Sequence, residues 1–332
     1  MTMQWCLYEP WIDTGTLARL ELEGDLRRAL DHRDLAVVYQ PIVAAGDGSF
    51  SGVEALVRWD HPRHGPIPPR TLISVAEDSG LIADIGRRVL EVACADHRRW
   101  RASVGEATPW LAVNVAPLQL EGRHFLTDLD AILGAGGMSP TDLVLEVTEN
   151  VVVLGDELGG ILDKVRSRGI RLALDDFGQG QTSLRYLREL PLDLLKIDRA
   201  FVDGLAEHAA DRAIVRSVIA LAHELAMSVT AEGIETSEQL RIVRDAGADF
   251  LQGYLVREPV PAQTILNLLE APPAGADNGV GPDEAAPAAR TGRGDEAEQR
   301  RPSGTSAAAD CGTGAESNGA VPITTPTAGA EI

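Results

Sequence analysis

Lysine is nearly absent from this chain: of thirty basic residues only Lys164 and Lys196 are lysines, and every other cation is an arginine. Cysteine is scarce too. Cys6, Cys94 and Cys311 lie far apart without metal-ligand spacing, which argues against a disulfide framework and a thiolate metal site. A reducing cytoplasm is the expected compartment. No apolar run approaches the ~20 residues that a membrane-spanning helix needs. The first residues lack a basic stretch followed by an apolar one, so neither a membrane span nor a signal peptide is expected. Net positive charge is also missing. A net charge of -20 argues against binding DNA or RNA by a basic surface. It leaves open a small phosphorylated ligand, because local arginines or metal ions can invert the sign inside a pocket.

Against that background the two lysines are informative. Lys164 sits among charged residues and reads as a solvated group on a helix. Lys196 sits in the apolar run Leu194-Leu195-Lys196-Ile197-Asp198. A buried lysine is rare unless paired, so this position either requires a compact ammonium or holds a snorkelling side chain.

The 332 residues are 44% apolar, enough for one large domain with extensions. Eight short apolar runs rich in Val, Ile and Leu read as strands covered on both faces: 37–43, 52–59, 111–116, 143–148, 171–175, 194–198, 227–231 and 250–255. Helical patterns lie at about 19–33 and over 82–101, 156–167 and 211–226, with another opened by Thr236 or Ser237 as a cap. Alternating strands and helices over the middle of the chain predict an α/β fold, a (β/α)8 TIM-type barrel. The first two strands are joined by only a short link containing Gly46 and Gly48, which suits a hairpin and makes the first strand antiparallel. Three regions are expected: an extension over 1–18, a barrel domain over 19–270 and a tail over 271–332. The tail is rich in Ala, Gly, Pro, Ser, Thr and acids and reads as disordered, because it cannot bury enough apolar surface to offset chain entropy.

In a barrel of this kind the site forms at the C-terminal ends of the strands. One strand ends in the doublet Asp175-Asp176. Adjacent carboxylates repel unless a cation neutralises them, so the doublet reads either as metal ligands or as a helix N-cap. Asn114, Glu146, Lys196, Asp198 and Glu232 also fall at strand ends, and Glu54 lies early on its strand. Glu54, Asn114, Glu146, Asp175, Asp176 and Glu232 make an oxygen-only set, the kind that hard ions such as Mg²⁺ or Mn²⁺ select. Two such ions in one site point to phosphate-ester chemistry. Arg58, on the same face as Glu54, could hold a phosphate in a fork of hydrogen bonds or serve as an internal partner for an acid.

Tyr39-Gln40-Pro41-Ile42, Glu54-Ala55-Leu56-Val57-Arg58, Asn114-Val115, Leu145-Glu146-Val147-Thr148-Glu149, Asp175-Asp176-Phe177-Gly178, Leu195-Lys196-Ile197-Asp198, Ala231-Glu232-Gly233-Ile234-Glu235-Thr236 and Gln252-Gly253-Tyr254 together resemble the signature of EAL-domain cyclic di-GMP phosphodiesterases, in order and spacing, from about residue 20 to 268. The resemblance implies a modified barrel with its first strand reversed, and hydrolysis of cyclic di-GMP to linear pGpG with two Mg²⁺ or Mn²⁺ ions. By position it implies Glu54, Asn114, Glu146, Asp175, Asp176 and Glu232 as metal ligands, with Asp175 bridging. Lys196 would contact the attacking water, Glu232 would also serve the chemistry, and Glu235 would support the site from behind. Glu149 would anchor the loop after the Asp doublet, which the resemblance also links to dimer contacts. Gln40, Arg58, Asp198 and Gln252 would lie near substrate. A homodimer is one assembly it implies.

The chain departs from the family pattern at Gln181 and Thr182, where an aromatic residue and a serine are usual, at Ala116 in place of serine, and at Glu258, after Arg257, in place of a basic residue. None of these is a metal-ligand position; they bear on loop dynamics, dimer coupling and substrate affinity. Leu7-Tyr8-Glu9-Pro10 followed by Leu17 to Leu30 resembles the linker that joins a GGDEF domain to an EAL domain. Two other functions compete with the hydrolase: a non-catalytic cyclic di-GMP receptor or interaction module, and a barrel that abstracts a proton beside a carboxylate with metal assistance. The intact set of acids and Lys196 favours the hydrolase.

Overall fold

The computed structural model describes residues 15–149, 156–178 and 184–271, with backbone alone for 15–18, 156–157 and 184–186. The expected extension up to residue 14, Gln181 and Thr182, and the expected disordered tail from 272 lie outside the described residues, as do Cys6 and Cys311. Helix α1 (Gly15–His32) precedes a hairpin of β1 (Leu35–Ala44) and β2 (Phe50–His61). The chain continues through β3 (Gly65–Ile67), α2 (Pro69–Asp78), α3 (Ile82–Val104), β4 (Trp110–Asn114), α4 (Pro117–Leu120), α5 (Phe125–Gly136) and β5 (Leu143–Thr148). Then come α6 (Asp156–Arg166), β6 (Arg171–Phe177), α7 (Leu184–Glu189), β7 (Leu194–Ile197), α8 (Arg199–Asp203) and α9 (Ala209–Glu224). β8 (Ser228–Ala231), α10 (Ser237–Asp245), β9 (Phe250–Leu251), β10 (Val260–Pro261) and α11 (Ala262–Glu270) complete it.

The sheet runs β1-β9-β8-β7-β6-β5-β4-β2 and closes through β1–β2, with β3 and β10 added at the margins. β1 is antiparallel to both its barrel neighbours, β2 and β9, whereas β2 and β4 through β9 pair parallel. The barrel, its strand count and the reversed first strand therefore agree with the sequence reading. Leu111, Leu143, Leu145, Leu172, Leu174, Leu195 and Val229 are fully buried, and each such side chain contributes about 1.5–3 kcal/mol by leaving water.

Some boundaries shift for identifiable reasons. The last long strand was expected to reach Leu255 but stops at Leu251, because the Gly253 carbonyl accepts from the N–H groups of Val256 and Arg257 and turns the chain. Asp198 is not in β7. Its carboxylate accepts from the Ala200 N–H at 2.8 Å and caps α8. β3 and β10 span three and two residues, too short to show a period.

The barrel interior is layered by the two-residue repeat of each strand. At the N-terminal end Trp110 and Phe250 meet edge to face at 5.8 Å, with the Arg171 guanidinium 5.3 Å over the indole. Gly52 makes the room, since a Cβ there would come within 2.4 Å of the indole. Above them Ala112, Val144, Ala173 and Leu194 form a separate buried cluster. Two residues further along the same strands stand Asn114, Glu146, Asp175 and Lys196. The strands thus change from apolar to ionisable within one step of the pleat.

Candidate functional site

Lys196 lies at the centre of the upper layer. Its side chain is 2% exposed, and its ammonium is 2.6 Å from Glu232 Oε1, 2.9 Å from Glu146 Oε1, 3.3 Å from Asp175 Oδ1 and 3.4 Å from Glu54 Oε2. Four carboxylates therefore surround one cation, and the snorkelling alternative for Lys196 is removed. Burial works against its charge, but Asp175, Glu146, Glu232 and Glu54 outweigh it and raise its pKa well above the usual lysine value.

One ammonium cannot neutralise four acids, and the acids divide accordingly. Burial opposes ionisation of Glu54, but Lys196 and amide hydrogen bonds hold it below the usual carboxylate range. Those bonds come from Gln252 Nε2 to Oε2 at 2.6 Å and Asn114 Nδ2 to Oε1 at 2.7 Å. Burial and the neighbouring Glu54 charge push Glu146 well up. Burial, with Asp175 and Glu54 repelling against the pull of Lys196, pushes Glu232 up to about 8. Asp176 is pushed up to about 6 by burial, then by Asp175 and Asp198. Without added cations the cluster holds protons.

The Asp doublet lies within β6 rather than at a helix start, so the capping alternative does not apply. Asp176 adopts a left-handed backbone (φ 56°), a conformation uncommon outside glycine and a form of strain that concentrates at functional sites. Gly178 follows at φ 101°, where a Cβ would enter the Phe201 ring. Its N–H donates to Glu149 Oε1 at 2.5 Å, so Glu149 holds the chain just after the doublet.

The remaining expected residues sit around this centre. Gln252 also donates to Gln40 Oε1 at 3.2 Å, and Gln40 donates to the Arg257 carbonyl at 3.3 Å. Gln252 thus sets the rotamer of Glu54, a role for which the sequence carries no local signal, because the two residues are almost 200 positions apart. The Arg58 guanidinium donates to the Val57 carbonyl at 2.8 Å rather than to an acid. Its charge is disfavoured by burial, with Tyr254 and Glu54 offsetting part of the effect. Glu235 is engaged elsewhere, by Arg199 at 2.9 Å, and does not touch Lys196. Arg199 itself escaped the sequence reading.

The donor set is oxygen-only, as hard cations require. Glu146 Oε2 is buried without a hydrogen-bond partner among the described residues, and the negative charge exceeds the positive. These features fit divalent cations. Among the described residues no three acids, histidines or cysteines already form a cage for one; the Lys196 ammonium stands between the acids instead.

A parallel barrel with a reversed first strand and an acid cluster at its C-terminal mouth defines a narrow class of protein. The EAL domain model matches residues 23–259, and the chain belongs to that family. The chain is 39% identical over 263 residues to the bifunctional diguanylate cyclase/cyclic di-GMP phosphodiesterase MucR of Pseudomonas aeruginosa, covering 79% of this chain and 38% of MucR. It is 38% identical over 253 residues to the cyclic di-GMP phosphodiesterase NbdA of the same organism, covering 76% and 32%. The solved PaMucR phosphodiesterase in complex with c-di-GMP superposes with a TM-score of 0.70 at 40% identity, over 74% of this chain and 99% of that one. The chain spans about a third of the length of these curated relatives. No described helix is long and apolar enough to cross a membrane.

Proposed function

We propose that this protein hydrolyses cyclic di-GMP to linear pGpG with two divalent cations, Mg²⁺ or Mn²⁺. The observation that carries the reading is the buried set of Glu54, Glu146, Asp175 and Glu232 around Lys196 at the barrel mouth. Membership of the EAL family and the names of MucR and NbdA support it.

Glu54, Asn114, Glu146, Asp175, Asp176 and Glu232 would hold the cations. When bound, the cations supply charge that acidifies a water and offsets the negative charge gathering on the phosphorus oxygens. Lys196 keeps the acids from repelling one another and, as a strong donor, orients a water near the scissile phosphate. Arg58, whose guanidinium makes no ion pair among the described residues, would present its guanidinium to a phosphate. Gln252 and Asn114 fix Glu54, Glu149 fixes the loop after the doublet, and Glu235 acts at a distance through Arg199 and the start of α10. Asp198 shares with Asp176 the negative edge of the mouth. Taking up cations requires the acids to release protons and to open around Lys196.

The test is incubation of purified protein with cyclic di-GMP and Mg²⁺ or Mn²⁺, beside Glu54→Ala. Linear pGpG from the wild type alone is the expected outcome. Intact substrate with measurable binding would replace the hydrolase with a non-catalytic receptor.

A further inference from the structure

Helix α1 faces the end of β2 and the turn into β3 across a cavity of ≈ 1040 Å³, bordered by Gly24 on the helix and by Trp59 and Pro62 opposite. Leu22 and Leu26 fasten the helix to the core, and a polar cluster bridges the gap. His61, 3% exposed, stands at the centre of that cluster. Its Nδ1 accepts from the backbone N–H groups of Arg63 at 3.1 Å and His64 at 3.2 Å. Two donors aimed at one nitrogen leave no place for a proton on it, so the ring is neutral and carries its proton on Nε2. Nε2 donates to Asp25 Oδ2 at 2.9 Å. Arg63 reaches the same Asp25 oxygen at 2.7 Å and Glu21 Oε1 at 2.6 Å. One imidazole therefore orders the turn of residues 61–64 and ties it to α1. The proposed reaction uses none of these groups.

We propose that His61 is a proton-operated clasp: neutral, it holds the 61–64 turn against α1, and protonated, it lets the turn go. A proton arriving on Nδ1 meets the two N–H groups, and both must turn away before the imidazolium forms. That movement also draws Arg63 from Asp25 and Glu21, while Leu22 and Leu26 keep the helix on the core. From α1, Glu21, Asp25 and Arg28 face the ring. From the turn, Arg63 and His64 face it, the His64 ring at 4.6 Å. His32, Asp34 and Asp60 complete the charged walls of the cavity. Asp25 is already engaged by Arg28 and Arg63, so it gives an imidazolium little support. Burial and then Arg63 hold the His61 pKa below the usual value, against the pull of Glu21. Once the turn opens, the ring ionises near the usual ~6.5. The clasp is therefore at full strength above that value and weakens as pH falls below it. Its open fraction rises about tenfold between about pH 7.5 and 5.5.

The experiment follows the full chain by NMR in two ways. Ring nitrogen shifts of His61 are expected to show a neutral imidazole with its proton on Nε2 at about pH 7.5 and a pKa below the usual ~6.5. Hydrogen exchange of the Arg63 and His64 amides, corrected for the intrinsic effect of pH, is then compared at about pH 7.5 and 5.5 in wild type, His61→Gln and His64→Gln. Protection should fall about tenfold in the wild type and in His64→Gln and stay constant in His61→Gln, whose amide can accept and donate but cannot titrate. Constant protection in the wild type, or the same fall in His61→Gln, would overturn the clasp. So would a fall that disappears in His64→Gln, since the proton would then belong to His64. Should His61→Gln fail to fold, the wild-type ring decides: a proton on Nδ1 at about pH 7.5, or a pKa at or above ~6.5, overturns the proposal. Each readout is independent of cyclic di-GMP hydrolysis, so the clasp and the proposed function stand or fall separately.

Discussion

Lys196 is the residue on which the site's charge balance turns. Four acids meet its ammonium within 3.4 Å, so Lys196→Met leaves them facing one another in a buried place. Removing one partner of a buried ion pair costs about 3–5 kcal/mol, and a loss of that size is expected in the melting of the metal-free protein. Adding Mg²⁺ should restore part of it; a variant that melts like the wild type would contradict the charge balance. The protonation pattern makes a second expectation. Glu232 keeps its proton up to about 8 in the folded chain, whereas an unfolded glutamate ionises near ~4.3. Between those values the folded chain binds more protons, so stability falls as pH rises; Glu146 acts in the same direction. Burial lowers the pKa of His61 and His97, which works the opposite way up to about 6.5. The readable window is therefore about pH 6.5 to 8. There the metal-free wild type should lose melting temperature with rising pH, and Glu232→Gln should lose less. Parallel slopes would count against the raised Glu232.

At the scale of elements, α10 carries a local instruction that is legible in the sequence. The Thr236 side chain accepts from the Gln239 N–H at 3.2 Å, and Gln239 Oε1 accepts from the N–H groups of Thr236 and Glu235, both at 2.9 Å. This reciprocal cap fixes the backbone at Glu235. Thr236→Ala should cost about 1 kcal/mol by chemical denaturation; a cost near zero would mean the cap is not formed in solution. Strand ends were legible for the same kind of reason, since an apolar run that stops at a charged residue marks both a boundary and a face. The pairing of Gln252 with Glu54 was not legible, because only barrel closure brings β9 beside β2 through β1. Nor was the engagement of Glu235 by Arg199, since nothing in a lone arginine after Asp198 names its partner.

For the whole molecule, the order of strands and the reversed β1 followed from run lengths and a hairpin-sized link. Trp110, Arg171 and Gly52 at the lower end did not stand out, because their meaning depends on three strands converging. Cation binding should be visible globally, because the folded state gathers the acids and the unfolded chain disperses them. A ligand at a hundred times its Kd adds about 2.7 kcal/mol, so Mg²⁺ should raise the melting temperature of the wild type. An unchanged value would argue against a cation site.

Trp110, Phe250 and Arg171, with the small-residue layer above them, stopper the barrel from below. A vessel stoppered at one end has a single doorway. Substrate and linear product would share the open end of the barrel, and a product still bound there would keep the next substrate out. On the proposed reaction, the linear product should therefore slow turnover competitively, and accumulated product should bend progress curves well before substrate runs out.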